Sequence, residues 1–127
     1  VGLPFNENLV VNILTQDYKE YESLLIPLFG KNKVDSVITT GESAAVAAMK
    51  TGLKAGLEIP KDLSVIAFSN GILARHSSPK MTTISQHGEQ MGEAAAKILI
   101  DKLEKKHTET ITQVITTDLV IRDSTRT

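Results

Sequence analysis

The chain has 127 residues, a formal net charge of -1, 41% hydrophobic and 23% charged residues, 4% aromatics and no cysteine. That is enough for one domain with its own core. It excludes disulfides, thiol chemistry, a basic nucleic-acid-binding field and an aromatic stacking platform for bases or sugars. No apolar run approaches the roughly 18 residues of a membrane span, so no membrane partner is expected.

The opening, VGLPFNENLVVN, lacks the basic-then-apolar pattern of a signal peptide and has no initiator Met. It reads as internal sequence, as in a fragment. Residues 1–7 form a connection, and Leu9 to Leu14 is expected as a first strand. Asp17 suits the N-cap of a helix carrying Tyr18, Tyr21, Leu24, Leu25 and Leu28 on its apolar side. Pro27 lies inside that pattern and is expected to bend or end the helix. Residues 30–33, GKNK, read as a loop.

The stretch from Val34 to Asn70 organises the chain. Val34, Val37 and Ile38 make a short apolar strand ending at Thr39-Thr40-Gly41. From Ser43 to about Ala55 the sequence is Ala-rich, with Val46, Met49 and Leu53 on one helical face. Gly56 suits the left-handed closing turn, and Pro60 prevents a restart. Residues 63–68, LSVIAF, then form a strand apolar enough to be covered on both faces. Strand, helix and strand imply a right-handed parallel crossover. Ligands of such sheets sit beyond the carboxyl ends of the strands. Here those ends are residues 40–43, TGES, and residues 69–71, SNG.

Residues 71–80 read as a long loop with a helical turn at Ile72 to His76. Met81 to Gln86 is a β-branched strand. Gly88 to about Lys105 is a helix with Met91, Ala94, Ala95, Ile98, Leu99 and Leu103 on one side. Glu89 and Glu93 lie in its first turns and Lys102, Lys105 and Lys106 in its last, which suits the helix dipole. Val114 to Arg122 alternates, with Ile115, Thr117, Leu119 and Ile121 facing one way, as in a half-buried edge strand. Asp123 to Thr127 reads as a polar tail. The order gives a single α/β domain over residues 1–127, a parallel-sheet sandwich.

Chemical constellations are sparse. His76, His87 and His107 are scattered and do not make a metal set. No GxGxxG, GxxxxGK[ST] or GxSxG motif occurs, so no cofactor is implied. Glu42 is the one carboxylate at the strand ends. The residues therefore argue against an enzyme and describe an α/β domain with a polar crevice.

Three segments carry a resemblance: residues 38–70 with GLEIPKDLSVIAF, residues 77–104 with SSPKMTTISQ, and residues 116–125 with TDLVIRDST. They resemble the C-terminal part of the LacI/GalR family of bacterial transcription regulators, over nearly the whole chain. The resemblance implies a type I periplasmic-binding-protein-like fold, here a partial C-terminal subdomain. It implies a cytoplasmic repressor whose helix-turn-helix domain, the part that meets operator DNA, lies outside this chain. A lobe of an extracytoplasmic sugar-binding transport protein is the alternative. The family's polar pairs at the two crevice loops match Gly41-Glu42 and Ser69-Asn70. Gly41 and Ser69 depart from the sugar-binding pattern. By resemblance, Thr40, Glu42, Ser69, Asn70 and Gln86 contact a sugar-like effector. By the same resemblance, Val46, Met49, Leu53, Ile72, Leu73, Arg75 and His76 form a homodimer contact. Residues of about 88–112 would pack on a first subdomain that this chain lacks. We expect that helix instead to fold back on its own domain or to exchange with another chain.

Overall fold

The computed structural model describes residues 4–15, 17–31, 34–104, 106 and 109–126. Of the sequence expectations, those on Gly2, Asn32, Lys33, Lys105 and His107 lie outside the described residues. Helix α1 spans Tyr18–Lys31, strand β1 Ser36–Thr39, helix α2 Glu42–Lys54 and strand β2 Ser64–Phe68. Helix α3 spans Ile72–His76, β3 Thr82–Ser85, α4 Gly88–Leu103 and β4 Asp118–Val120. The four strands lie in the order β1-β2-β3-β4. The first three are parallel, and β4 runs antiparallel to β3.

The core lies on one face of this sheet. Val65 and Ala67 point into it, and Ala45, Ala48 and Met49 of α2 cover them. Leu25 and Phe29 of α1 close the outer side. Gly52 allows α2 this close approach: a Cβ there would sit 2.6 Å from Leu63 Cδ2. Leu63 is fully buried, which contributes roughly 1.5–3 kcal/mol. Helices α1 and α2 are also joined by the Lys54–Glu22 ion pair and by Lys50 Nζ 4.7 Å from the Tyr18 ring centre.

Asp17 Oδ1 accepts from Lys19 N at 3.0 Å, as expected of a cap. Pro27, however, does not end α1, which continues to Lys31. Both Leu25 and Phe29 are buried, so carrying the helix past the proline keeps two core anchors on one face. That burial outweighs the one hydrogen bond a proline removes.

Three further expectations are corrected. First, Leu9 to Leu14 is not a strand. Glu7–Leu9 forms a 3-10 turn, capped by Asn6 Oδ1 from Asn8 N at 3.1 Å. That turn uses the Leu9 and Val10 amides, each 3.0 Å from its acceptor, so neither can join a ladder. Leu9, Val11 and Ile13 instead line a groove of about 270 Å³ beside β1, α1 and α2. Second, β2 is covered on one face only. The register aligns Ile38 with Ile66, and Phe68 with Ile84 and Leu119, on the other face. There Ile38 is 71% and Leu119 56% exposed. Third, β4 is three residues long, because only Thr83–Ser85 of β3 lies opposite it. Val120 of β4 and Arg122 just beyond it are half-buried, while Leu119 and Ile121 face outward.

Past β4, side chains take over from the ladder. Thr82 Oγ1 accepts from Arg122 N at 2.9 Å and lies 2.7 Å from Thr125 Oγ1. The C-terminal segment is not a solvated tail: Ser124 is fully buried. Its hydroxyl donates to Val65 O at 2.6 Å and accepts from Thr82 N at 2.8 Å. Its carbonyl accepts from Val65 N at 2.8 Å. Ser124 thus joins β2 to β3 where their own pairing ends.

Helix α4 does not fold back on the sheet. None of its residues is buried, and Met91, Leu99, Ile100 and Leu103 are all more than half exposed.

Candidate functional site

Three loops follow the carboxyl ends of the three parallel strands: residues 40–42, 69–71 and 86–87. All five residues expected to meet a ligand lie on them or begin the next helix. The first two loops are brought into contact. Glu42 is the first residue of α2, and its carboxylate crosses to the start of α3. There it accepts from the Gly71 backbone N–H and, at 3.1 Å, from that of Leu73. A carboxylate at two helix starts satisfies amides that have no partner within α3 and favours the positive ends of both dipoles. Gly71 leaves it room, because a Cβ there would lie 2.8 and 2.9 Å from the two Glu42 oxygens.

Asn70 turns its carboxamide oxygen back along the sheet. Oδ1 accepts from Arg122 Nη2 at 2.6 Å and from Thr83 Oγ1 at 3.2 Å. A guanidinium only donates, so this contact fixes the amide with its nitrogen on the opposite side. Arg122 also donates through Nη1 to Met81 O at 2.6 Å and to Thr83 Oγ1 at 3.1 Å. Among the described residues it faces no carboxylate within ion-pair distance. Ser69 has φ 147°, a backbone conformation that costs a non-glycine residue of order 1–3 kcal/mol. Its N–H is held by Ile84 O at 3.1 Å. The 69–71 loop is therefore fixed at each successive residue.

Thr40 and Gln86 are exposed and extend beyond β1 and β3. Thr39, by contrast, is turned inward, donating to Gly41 O at 2.9 Å. Arg122 and Thr83 escaped the sequence reading, and Gly71 was placed at the strand end without its contact to Glu42. Nothing in sequence marked Thr83.

The residues expected at a dimer contact divide. Val46, Met49, Leu53, Leu73 and His76 line one groove of about 290 Å³ between α2 and α3. Met49 is only 4% exposed and belongs chiefly to the core, whereas Leu53 is 51% exposed. Ile72 and Arg75 lie outside that groove on the same short helix, and Arg75 Nε donates to Gly71 O at 3.1 Å. No group of three metal-ligating side chains occurs among the described residues, and none of their helices is long and apolar enough to cross a membrane.

Comparison with known proteins supplies the family. A periplasmic binding protein-like domain matches residues 2–125. The HTH-type transcriptional repressor PurR of Yersinia pestis bv. Antiqua (strain Antiqua) is 31% identical over 123 residues, 97% of this chain and 36% of PurR. The HTH-type transcriptional regulator CelR of Thermobifida fusca is 31% identical over 91 residues, 72% of this chain and 27% of CelR. A solved complex of transcriptional regulator CelR with cellobiose superposes with a TM-score of 0.85 at 28% identity, over 97% of this chain and 38% of that one. Transcription regulator CcpA of Lactococcus lactis shares the fold, with a TM-score of 0.83 at 23% identity, over 97% of this chain and 45% of that one. The chain thus spans about a third of the length of the curated relatives it matches.

Proposed function

The chain belongs to the periplasmic binding protein-like family, within the effector-binding region of LacI-type transcription regulators, and on that premise we propose that it forms one wall of a small-molecule crevice. The observation that carries this reading is the joining of the 40–42 and 69–71 loops by the Glu42 carboxylate. It fixes two polar loops beyond the ends of adjacent parallel strands, where open α/β sheets hold their ligands. The effector is a polar, sugar-like molecule; cellobiose in the CelR complex is the precedent. Thr40, Ser69 and Gln86 offer hydroxyl and amide contacts to it, and Asn70 offers its amide nitrogen. Glu42 meets the ligand only through lone pairs that Gly71 and Leu73 leave free.

In the whole protein, effector binding biases a conformational equilibrium that a DNA-binding domain elsewhere in the protein reads out. Such a regulator works in the cytoplasm and carries out no chemistry. The matched relatives are transcription regulators, which favours this over a transport lobe. Homodimerisation uses the α2–α3 groove with Leu53 and Leu73. Light scattering tests this: a dimer at tens of micromolar that becomes a monomer in Leu53→Asp supports it, and a monomeric parent protein contradicts it. The effector reading is tested by thermal melting of the whole protein, expressed from its natural reading frame. The panel is cellobiose, sugar phosphates and nucleosides. One compound raising the melting temperature, less so in Thr40→Val and Gln86→Ala, is the expected result.

A further inference from the structure

Among the asparagines of the chain, only Asn70 is followed by glycine. That dipeptide is chemically labile. Glycine has no Cβ to screen its backbone nitrogen, which can therefore approach the neighbouring carboxamide closely. The Gly71 nitrogen, once deprotonated, attacks Asn70 Cγ. The Cγ–Nδ2 bond breaks, and the nitrogen leaves as ammonia after taking a proton from solvent. Water then opens the resulting succinimide at either carbonyl, giving aspartate or isoaspartate. In the folded chain both reacting groups are held by other elements. The Gly71 N–H donates to Glu42 Oε1 at the start of α2. Removing that proton would set an amide anion against a carboxylate, and like charges in contact disfavour each other. Glu42 must therefore let go before the nitrogen can react. Asn70 Oδ1 is held by Arg122 Nη2 at 2.6 Å and Thr83 Oγ1 at 3.2 Å, which fixes the carboxamide. Ser69, at φ 147°, adds backbone strain that opening of the loop relieves.

We propose that Asn70–Gly71 is a self-modification site gated by Glu42, shut while the 40–42 and 69–71 loops are joined and reactive when they part. The product puts a carboxylate at residue 70, against the Arg122 guanidinium, which faces no carboxylate within ion-pair distance among the described residues. Opening of the loops is thereby recorded as a lasting change of charge at the strand ends. The inference depends on the loop contacts alone and stands whether or not the crevice binds a sugar.

The test follows aspartate and isoaspartate at residue 70 in the whole protein, expressed from its natural reading frame and incubated at mildly alkaline pH. Mass spectrometry of its proteolytic peptides gives the rate, and a free peptide of residues 64–76 supplies the unconstrained rate. The parent is expected to react at least about tenfold more slowly than the peptide, the weight of one hydrogen bond to a charged group. Glu42→Ala recovers most of that factor. Glu42→Gln, neutral but still an acceptor, falls between the two. Ser124→Ala weakens the fold away from these loops and is expected to keep the parent rate, which separates loop opening from global unfolding. A parent that reacts as fast as the peptide overturns the proposal. So does a Glu42→Ala rate equal to the parent's, or an equal acceleration in Ser124→Ala.

Discussion

Replacing Glu42 tests whether its carboxylate holds the crevice loops together. In the structure it accepts two backbone N–H groups, from Gly71 and Leu73, across a gap of 29 and 31 residues. A net hydrogen bond to a charged group is worth about 1.5–3 kcal/mol. The Leu73 amide lies at an exposed position and water can replace its partner, so the two together fall below the sum. Loss of a capping side chain by itself costs about 0.5–2 kcal/mol. Glu42→Ala is therefore expected to destabilise by about 2 kcal/mol, and Glu42→Gln, which keeps one acceptor, by about 1 kcal/mol. For a domain of this size, 2 kcal/mol corresponds to a melting shift of about 6–10 °C. Urea unfolding followed by circular dichroism measures it, and an unchanged m-value confirms that stability alone changed. Gly71→Ala should reproduce much of the loss, because its Cβ would press on the same carboxylate. A Glu42→Ala protein within about 0.5 kcal/mol of the parent, the range of an ordinary surface substitution, would refute the reasoning.

Thr51 is fully buried in α2, and its hydroxyl has no partner among the described residues. Thr51→Val keeps the shape and removes an unsatisfied group, so thermal melting should show a gain of about 1 kcal/mol. Ser124→Ala leaves the buried Val65 carbonyl and Thr82 amide without that hydroxyl; urea unfolding should register a loss of about 2–4 kcal/mol. The Arg126 guanidinium, 3.2 Å from Asp35 Oδ2, holds that carboxyl below its ordinary range, helped by a hydrogen bond from Ser36. A depressed carboxylate contributes stability above its unfolded pKa and loses it as pH falls through the folded one. The small stability advantage of the parent over Arg126→Ala should therefore be present at neutral pH and vanish below the carboxylate range. Added salt should shrink it, because the pair is solvent-exposed.

The crossover from Ser36 to Phe68 was legible because strand, helix and turn signals all agreed there. Local propensity, apolar period and the Gly56 turn point the same way, and Gly56 does adopt φ 83°. The span of α4 was equally plain. What sequence could not reveal were choices made by partners distant in the chain. Leu9 to Leu14 has strand-like residues, but a ladder needs free amides, and the turn at Glu7–Leu9 had already engaged two of them. Pro27 signals a helix end, yet Phe29 beyond it has a core site to fill. The alternation expected over residues 114–122 survives only as the three-residue β4, and whether Leu119 or Val120 meets the core depends on which face α2 covers. Ser124 is polar and near the end of the chain, and only its position between Val65 and Thr82 makes it a core residue. Glu42 was legible as the carboxylate at the strand ends, where it opens α2. Its reach to Gly71 depends on α3 lying beside α2, which no local pattern encodes.

The most direct measurement of the central claim is calorimetric titration of the whole protein, expressed from its natural reading frame, with cellobiose and then with sugar phosphates and nucleosides. Saturable binding of one compound is expected, weakened at least tenfold, about 1.4 kcal/mol, when Thr40→Val and Gln86→Ala are combined. Saturable binding that the double variant leaves unchanged would place the effector away from these strand ends and contradict the claim, as would the absence of binding across the panel.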